Sequence, residues 1–203
     1  PTGGGNLITT TGATFTGNVG IGGSPSEKLT IQSGNINFMG GTNDAQYIKF
    51  GDTGDDDIGS ILYYHGNNNM VFTANASEAM RISGGNVGIG VVPEAWNGSW
   101  TALQLGATGF VGQFQAGGTD LTALGSNVYS DGSYKYIETD EAAIYKQQNG
   151  THIFDVAASG TADAAITWNT GFEVLNDGKA RAKNGLLFGT DTAAANTLDD
   201  YEE

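Results

Sequence analysis

Short apolar runs, each interrupted after a few residues by Gly, Asn or Asp, extend along almost the whole chain. The interruptions recur about every eight to twelve residues, which is the spacing of strands in an all-β protein, and helical periodicity is nearly absent. Glycine (33 residues) and asparagine (17 residues) both accept the positive φ that tight turns require. The pattern predicts many short strands, among them residues 29–31, 47–50, 61–63, 70–72, 103–105 and 153–156.

Two segments have special turn or helix chemistry. Residues 65–69 read His-Gly-Asn-Asn-Asn between two apolar runs, which predicts a hairpin connection. Residues 191–200 contain three consecutive alanines and predict either a short helix or a linker.

The hexapeptide Gly-Asn-Val-Gly-Ile-Gly occurs twice, at residues 17–22 and 85–90, and a proline follows each copy within three residues. A second pair of segments, 61–63 with 70–72, corresponds to 143–145 with 152–154. Such self-similarity is typical of repeat architectures. It predicts an N-terminal connector (1–16), two β modules in series (17–84 and 85–171), and the start of a third module with a C-terminal linker (172–203).

Alternation along a strand places the apolar and glycine positions of the hexapeptide on opposite faces. A bare glycine face indicates close approach by another backbone, and an apolar face requires a core. We therefore expect inter-chain packing by these strands in an all-β homotrimer whose core is shared among the chains, the alternative being glycines that only form turns or bulges. The residues concerned are Val19, Gly20, Ile21 and Gly22 in the first copy and Val87, Gly88, Ile89 and Gly90 in the second.

The segment Asn-Ala-Ser-Glu-Ala-Met-Arg-Ile (75–82), followed by the hexapeptide at 85–90 and by Pro93, resembles repeats in tail fibre proteins of tailed bacteriophages, especially marine ones. Residues 50–65 and 196–203 fit the same pattern. The resemblance covers residues 15–93 well, 178–203 moderately and 95–170 only through the internal repeat. The chain departs from the commonest form where residues 23–25 and 91–93 replace a threonine-rich tripeptide.

The resemblance implies a fibrous homotrimeric component of the virion tail, hence extracellular, that takes part in host attachment. The partners it implies are further copies of the chain, other virion tail proteins and a host surface glycan. It supplies no receptor and no set of binding residues.

Composition excludes several other classes of function. The net charge of −14 opposes nucleic-acid binding. Cysteine is absent, so thiolate metal sites and cysteine nucleophiles are excluded. The sequence predicts no membrane insertion, because no stretch approaches the ~20 consecutive apolar residues of a membrane span.

Two clusters are candidate binding sites. The acidic run containing Asp52, Asp55, Asp56 and Asp57 could hold calcium, although it lacks the EF-hand spacing and such runs are commonly solvated turns. Calcium is the only cofactor that the sequence brings into consideration. Trp96 and Trp100 stand in the insertion that lengthens the second module, where they could stack on a glycan or instead fill the trimer core.

Three basic residues, Lys179, Arg181 and Lys183, alternate along one strand face. They could contact an anionic polysaccharide, but a solvated face or ion pairs with a neighbouring chain are the expected roles.

No nucleophile elbow, phosphate loop or zinc signature is present, so we expect no enzyme activity. Two alternatives to a tail fibre stay open, namely a polysaccharide-degrading tailspike and a bacterial surface adhesin with the same strand chemistry.

Overall fold

The computed structural model describes residues 19–21, 29–31 and 35–187. It divides into two units, residues 1–39 and 40–203. The described residues contain sixteen strands and no helix, so the all-β prediction is confirmed. The predicted helix or linker at 191–200 and the connector at 1–16 lie outside the described residues.

The first unit contains β1 (Val19–Ile21) and β2 (Leu29–Ile31), which pair in parallel with Val19 opposite Leu29. The second unit contains the other fourteen strands: β3 (Ala45–Phe50), β4 (Gly59–Tyr64), β5 (Asn69–Ala74), β6 (Ser77–Ser83), β7 (Asn86–Ile89), β8 (Trp100–Leu105), β9 (Gly109–Ala116), β10 (Thr119–Ser126), β11 (Tyr129–Ser130), β12 (Tyr134–Lys135), β13 (Asp140–Gln148), β14 (Thr151–Gly160), β15 (Asn169–Val174) and β16 (Ala180–Ala182).

Twelve strands of the second unit form one sheet in which each strand pairs with its neighbours along the chain. All pairs are antiparallel except β7 with β8. The small hairpin β11–β12 is an excursion between β10 and β13. Residues 84 and 85 form the turn between β6 and β7, and residues 171 and 172 are neighbours in β15. The sheet is therefore continuous across both predicted module boundaries.

Four of the hairpins use two-residue turns in which both residues have positive φ, as type I′ turns require. The turn residues are Asn75-Ala76, Gly84-Gly85, Gly117-Gly118 and Asn149-Gly150. The predicted hairpin at residues 65–69 is also present, with β4 ending at Tyr64 and β5 beginning at Asn69. Turn geometry thus accounts for part of the abundance of Gly and Asn.

Both copies of the hexapeptide contribute a strand that pairs in parallel with a later strand. In β1–β2 the partners are Val19 with Leu29 and Ile21 with Ile31, and in β7–β8 they are Val87 with Leu103 and Ile89 with Leu105. The two copies of the repeated sequence therefore share a local structure, a strand in parallel pairing.

Among the described residues, segments outside the sheet cover one of its faces, mainly over β8 to β14. The segments 93–99, 127–139 and 161–168 lie against this covered face. Phe110, which has no solvent exposure, packs at its centre against Trp96 at a ring-centroid distance of 4.7 Å. The side chain of Asn127 links the two ends of segment 127–139. It donates hydrogen bonds to the carbonyls of Glu138 and Glu141 and accepts one from the Glu138 amide.

The interpretation of Gly88 as an inter-chain contact is wrong, because the backbone that approaches this glycine belongs to the same chain. A Cβ at Gly88 would lie 2.1 Å from the carbonyl oxygen of Val91 and 2.8 Å from Cδ of Pro93. Gly90 has φ +69 and open space around it, so it serves a turn, which was the alternative interpretation.

We expect Gly88→Ala to destabilise each chain, since the new methyl group would overlap a carbonyl oxygen that is fixed by the turn into Pro93. Overpacking of this kind typically costs about 1–3 kcal/mol of unfolding free energy. Gly98→Ala is the matched control, because nothing lies within 4 Å of a Cβ there and its φ is not positive. Thermal melting of both variants measures the difference, and equal melting temperatures would contradict this account of Gly88.

Candidate functional site: the open face of the sheet

Cross-strand partners lie on the same face of a sheet, so the register shows which side chains form continuous rows. One row crosses all twelve strands without a break, and eleven of its twelve positions are aliphatic or aromatic. This long row consists of Gln46, Tyr63, Met70, Ile82, Val87, Leu103, Val111, Leu124, Tyr145, Phe154, Phe172 and Ala182.

A second row of the same kind runs beside it through β3 to β8. Its partners are consecutive in the register and all are apolar. This short row consists of Ile48, Ile61, Phe72, Met80, Ile89 and Leu105. Both rows lie on the face opposite the buried Trp100 and Ala102, and we call this side the open face.

The open face exposes large apolar side chains to solvent. Leu124 is 56 % exposed, Phe154 46 % and Leu105 44 %. Around Leu124, Tyr145, Phe154 and Val156 the surface is indented by a groove of about 430 Å³. Contiguous exposed apolar surface of this kind marks interaction sites, whereas isolated exposed apolar residues need no explanation.

Three ion pairs formed by strand residues lie on the other face. Arg81 is the cross-strand partner of Gly88 and binds Glu78, with its Nη2 2.6 Å from the carboxylate. Lys146 is 2.5 Å from the buried carboxylate of Asp155. Arg181 pairs with Glu173 on β15. The sheet therefore separates its chemistry, with ion pairs on one face and apolar rows on the other.

Of the residues predicted to pack between chains, Val87 belongs to the long row and Ile89 to the short row. The backbone of Val19, Gly20 and Ile21 forms β1, and Gly22 lies outside the described residues. The sequence did not point to Leu124 or Phe154, whose place in the row follows from cross-strand register.

The hypothesis that Trp96 and Trp100 form an exposed pair for stacking on a glycan is wrong. Their side chains are buried, with residue exposures of 7 % and 5 %, and their ring centroids lie 5.4 Å apart. Both pack on Phe110 within the core of a single chain. The insertion that carries them folds back over the covered face because its rings have apolar surface to bury there.

The acidic run forms a local turn. The Asp52 carboxylate accepts hydrogen bonds from the backbone amides of Gly54 (2.7 Å) and Asp55 (3.1 Å), which lower the pKa of Asp52. One carboxylate oxygen from each of Asp55, Asp56 and Asp57 lies within 4.8 Å of the others, and all three residues are exposed. Asp52 thus has a turn-forming role that separates it from the other three predicted ligands.

The three alternating basic residues pair with acids of their own chain. Lys179 binds Asp177 at 2.8 Å, Lys183 binds Glu173 at 3.3 Å, and Arg181 Nε donates to Glu173 at 3.0 Å. The hydrogen bond from Arg181 is the main cause of a lowered pKa for Glu173, whose side chain is largely buried. The expected pairing with acids therefore occurs, but within one chain.

Comparison of the chain with protein-family models, with curated protein sequences and with solved structures gives no match. Within the described residues, no helix has the length and apolar character needed to cross a membrane.

We expect Glu173 to stabilise the fold in a pH-dependent manner. Because its pKa is lowered in the folded state, its contribution is present above the ordinary value of 4.5 and is lost as the pH falls through the folded pKa. Glu173→Gln should therefore melt at a lower temperature than the unsubstituted chain at neutral pH, with the gap closing as the pH falls below 4.5. Glu138→Gln, at an exposed position, controls for removal of one negative charge. A gap that stays constant across this range would contradict the assignment.

Proposed function

We propose that this chain is a self-associating structural segment of a bacteriophage tail fibre, a homotrimer that helps attach the virion to the host surface. The observation that carries the proposal is the long row, because an apolar line across eleven strands needs a cover that the described residues of this chain do not provide. A further copy of the same chain is the partner that a fibre supplies at every position along its length.

The size of the two rows fits an interface between copies. Twelve strands at about 4.8 Å spacing make the long row about 50 Å long, and with the short row the strip is about 14 Å wide for part of that length. The resulting area is on the order of 500 Å² per chain, which is more than half of the ~800 Å² that each partner contributes to a standard stable interface.

Charge also favours association through this face. A chain with a net charge of −14 repels its copies, so attraction has to come from surface without carboxylates. The two rows contain no charged residue, whereas the ion pairs of Arg81, Lys146 and Arg181 lie on the opposite face. Threefold stoichiometry is the part of the proposal that rests on the resemblance to tail fibre repeats.

Mass in solution tests the proposal directly. Sedimentation or mass photometry at micromolar concentration should give about three times the chain mass of 21.0 kDa. A folded monomer would contradict self-association, and a dimer would contradict the threefold arrangement.

A charge placed in the long row should dissociate the assembly without unfolding the chain. Leu124→Glu puts a carboxylate at a position that is 56 % exposed in the single chain, so its cost appears only where copies meet. Three symmetry-related copies of the substitution should shift the mass to that of a monomer.

Val92→Glu is the control, since Val92 is similarly exposed (55 %) but lies outside both rows. The β-sheet signal in circular dichroism should be the same for both variants. If Leu124→Glu keeps the mass of the parent protein, the open face is not the interface.

A further inference from the structure

A cleft of about 390 Å³ opens on the covered face, between the β11–β12 hairpin and the sheet. Its walls come from Ser130, Gly132, Ser133 and Tyr134 on the hairpin side and from strands β8, β9, β10 and β13 on the other. The volume lies at the lower end of the ~300–1,000 Å³ range of small-molecule sites.

Aromatic rings form one wall of this cleft. Trp100 lies at the back of the cleft. The ring centroids of Phe114 and Tyr134 are 5.4 Å and 6.2 Å from that of Trp100. Trp100 is almost completely buried, whereas Phe114 and Tyr134 are half-buried and keep accessible ring surface. Such rings offer an apolar surface to the C–H groups of a ligand while the tyrosine hydroxyl remains a polar contact.

Polar groups in the cleft lack partners. The hydroxyls of Ser130 and Tyr134 and the side-chain amide of Gln148 form no side-chain hydrogen bond with the described residues. Ser130 as a residue is 6 % exposed, but its hydroxyl oxygen is not fully enclosed, so it can be reached from the cleft. Burial, with a smaller effect from Asp155, raises the pKa of Tyr134 to about 12, so its hydroxyl stays a donor at neutral pH.

The charge in the cleft is already balanced. Lys146 is the only charged residue among its walls, and its ammonium group is 2.5 Å from the Asp155 carboxylate behind it. An anionic ligand would therefore gain little. The walls contain no carboxylate, whereas glycoside hydrolysis ordinarily needs two flanking the scissile bond.

We propose that this cleft binds a neutral saccharide unit, with its C–H face on Phe114 and Tyr134 and its hydroxyls bonded to Tyr134, Ser130 and Gln148, and releases it unchanged. The cleft lies on the face opposite the two rows, so it stays accessible when copies cover the open face. The inference rests on the adhesive part of the proposed function and is independent of the trimeric part, which the mass measurement tests separately.

Saturation-transfer NMR on the full chain, with lactose, maltose and cellobiose as probes, tests the proposal. A shallow site with a few hydrogen bonds should bind at least one of them with a Kd on the order of 1–10 mM. Glucuronate should bind no more tightly than the neutral sugars, because the charge of Lys146 is compensated.

Tyr134→Phe keeps the ring and removes the hydroxyl, so it should weaken binding about five- to tenfold. Gln148→Ala should have a similar effect. Tyr64→Phe, at an exposed tyrosine outside the cleft, is the matched control and should leave the Kd unchanged.

Three results would overturn the proposal. They are an absence of binding by all three neutral sugars, a Kd that none of the cleft substitutions changes, and binding of glucuronate alone. Conversion of cellobiose to glucose would overturn the inference that the ligand is released intact.

Discussion

Cross-strand register is the constraint on which the rest of this structure depends, and two-residue turns with left-handed backbone fix it at four of the hairpins. Such turns leave no slack between the strands that they join, so apolar positions of those strands stay opposite one another. A slip of one residue in any hairpin would move all later apolar side chains to the opposite face. The alignment from Tyr63 to Ala182 therefore depends on every intervening connection, including the parallel step from β7 to β8.

The two faces of the sheet differ in how much of their side-chain surface is packed within the single chain. On the covered face, aromatic packing around Phe110 and the ion pair between Lys146 and Asp155 stabilise the single chain. Removing one partner of such a buried pair typically costs about 3–5 kcal/mol, so this face tolerates little change. The open face has no comparable internal partners among the described residues, and its exposed side chains would contribute more to stability if another surface removed them from water. Folding of the single chain thus depends mainly on the covered face, and the proposed association would depend on the open face.

Local patterns made much of the fold predictable, and non-local contacts account for what was missed. The strands at residues 61–63 and 70–72 and the hairpin between them follow from alternation and Asn-rich turn chemistry. Val87 and Ile89 were singled out because the hexapeptide repeats, and the register places them in the long row and the short row. Gly88 was misinterpreted, since a bare glycine shows that a backbone comes close but not which one. The place of Leu124 and Phe154 in the long row was missed, because the register between strands depends on the length and geometry of every connection between them.

Because the strands of the large sheet keep their order along the chain, nearly all strand pairings join segments close in sequence. Folds of low contact order form quickly, and each hairpin here can close as soon as its second strand leaves the ribosome. The excursion between β10 and β13 is the longest loop that has to close within the sheet. Each chain can thus acquire its sheet on its own, and the proposed assembly would be an encounter of preformed surfaces whose rate depends on concentration.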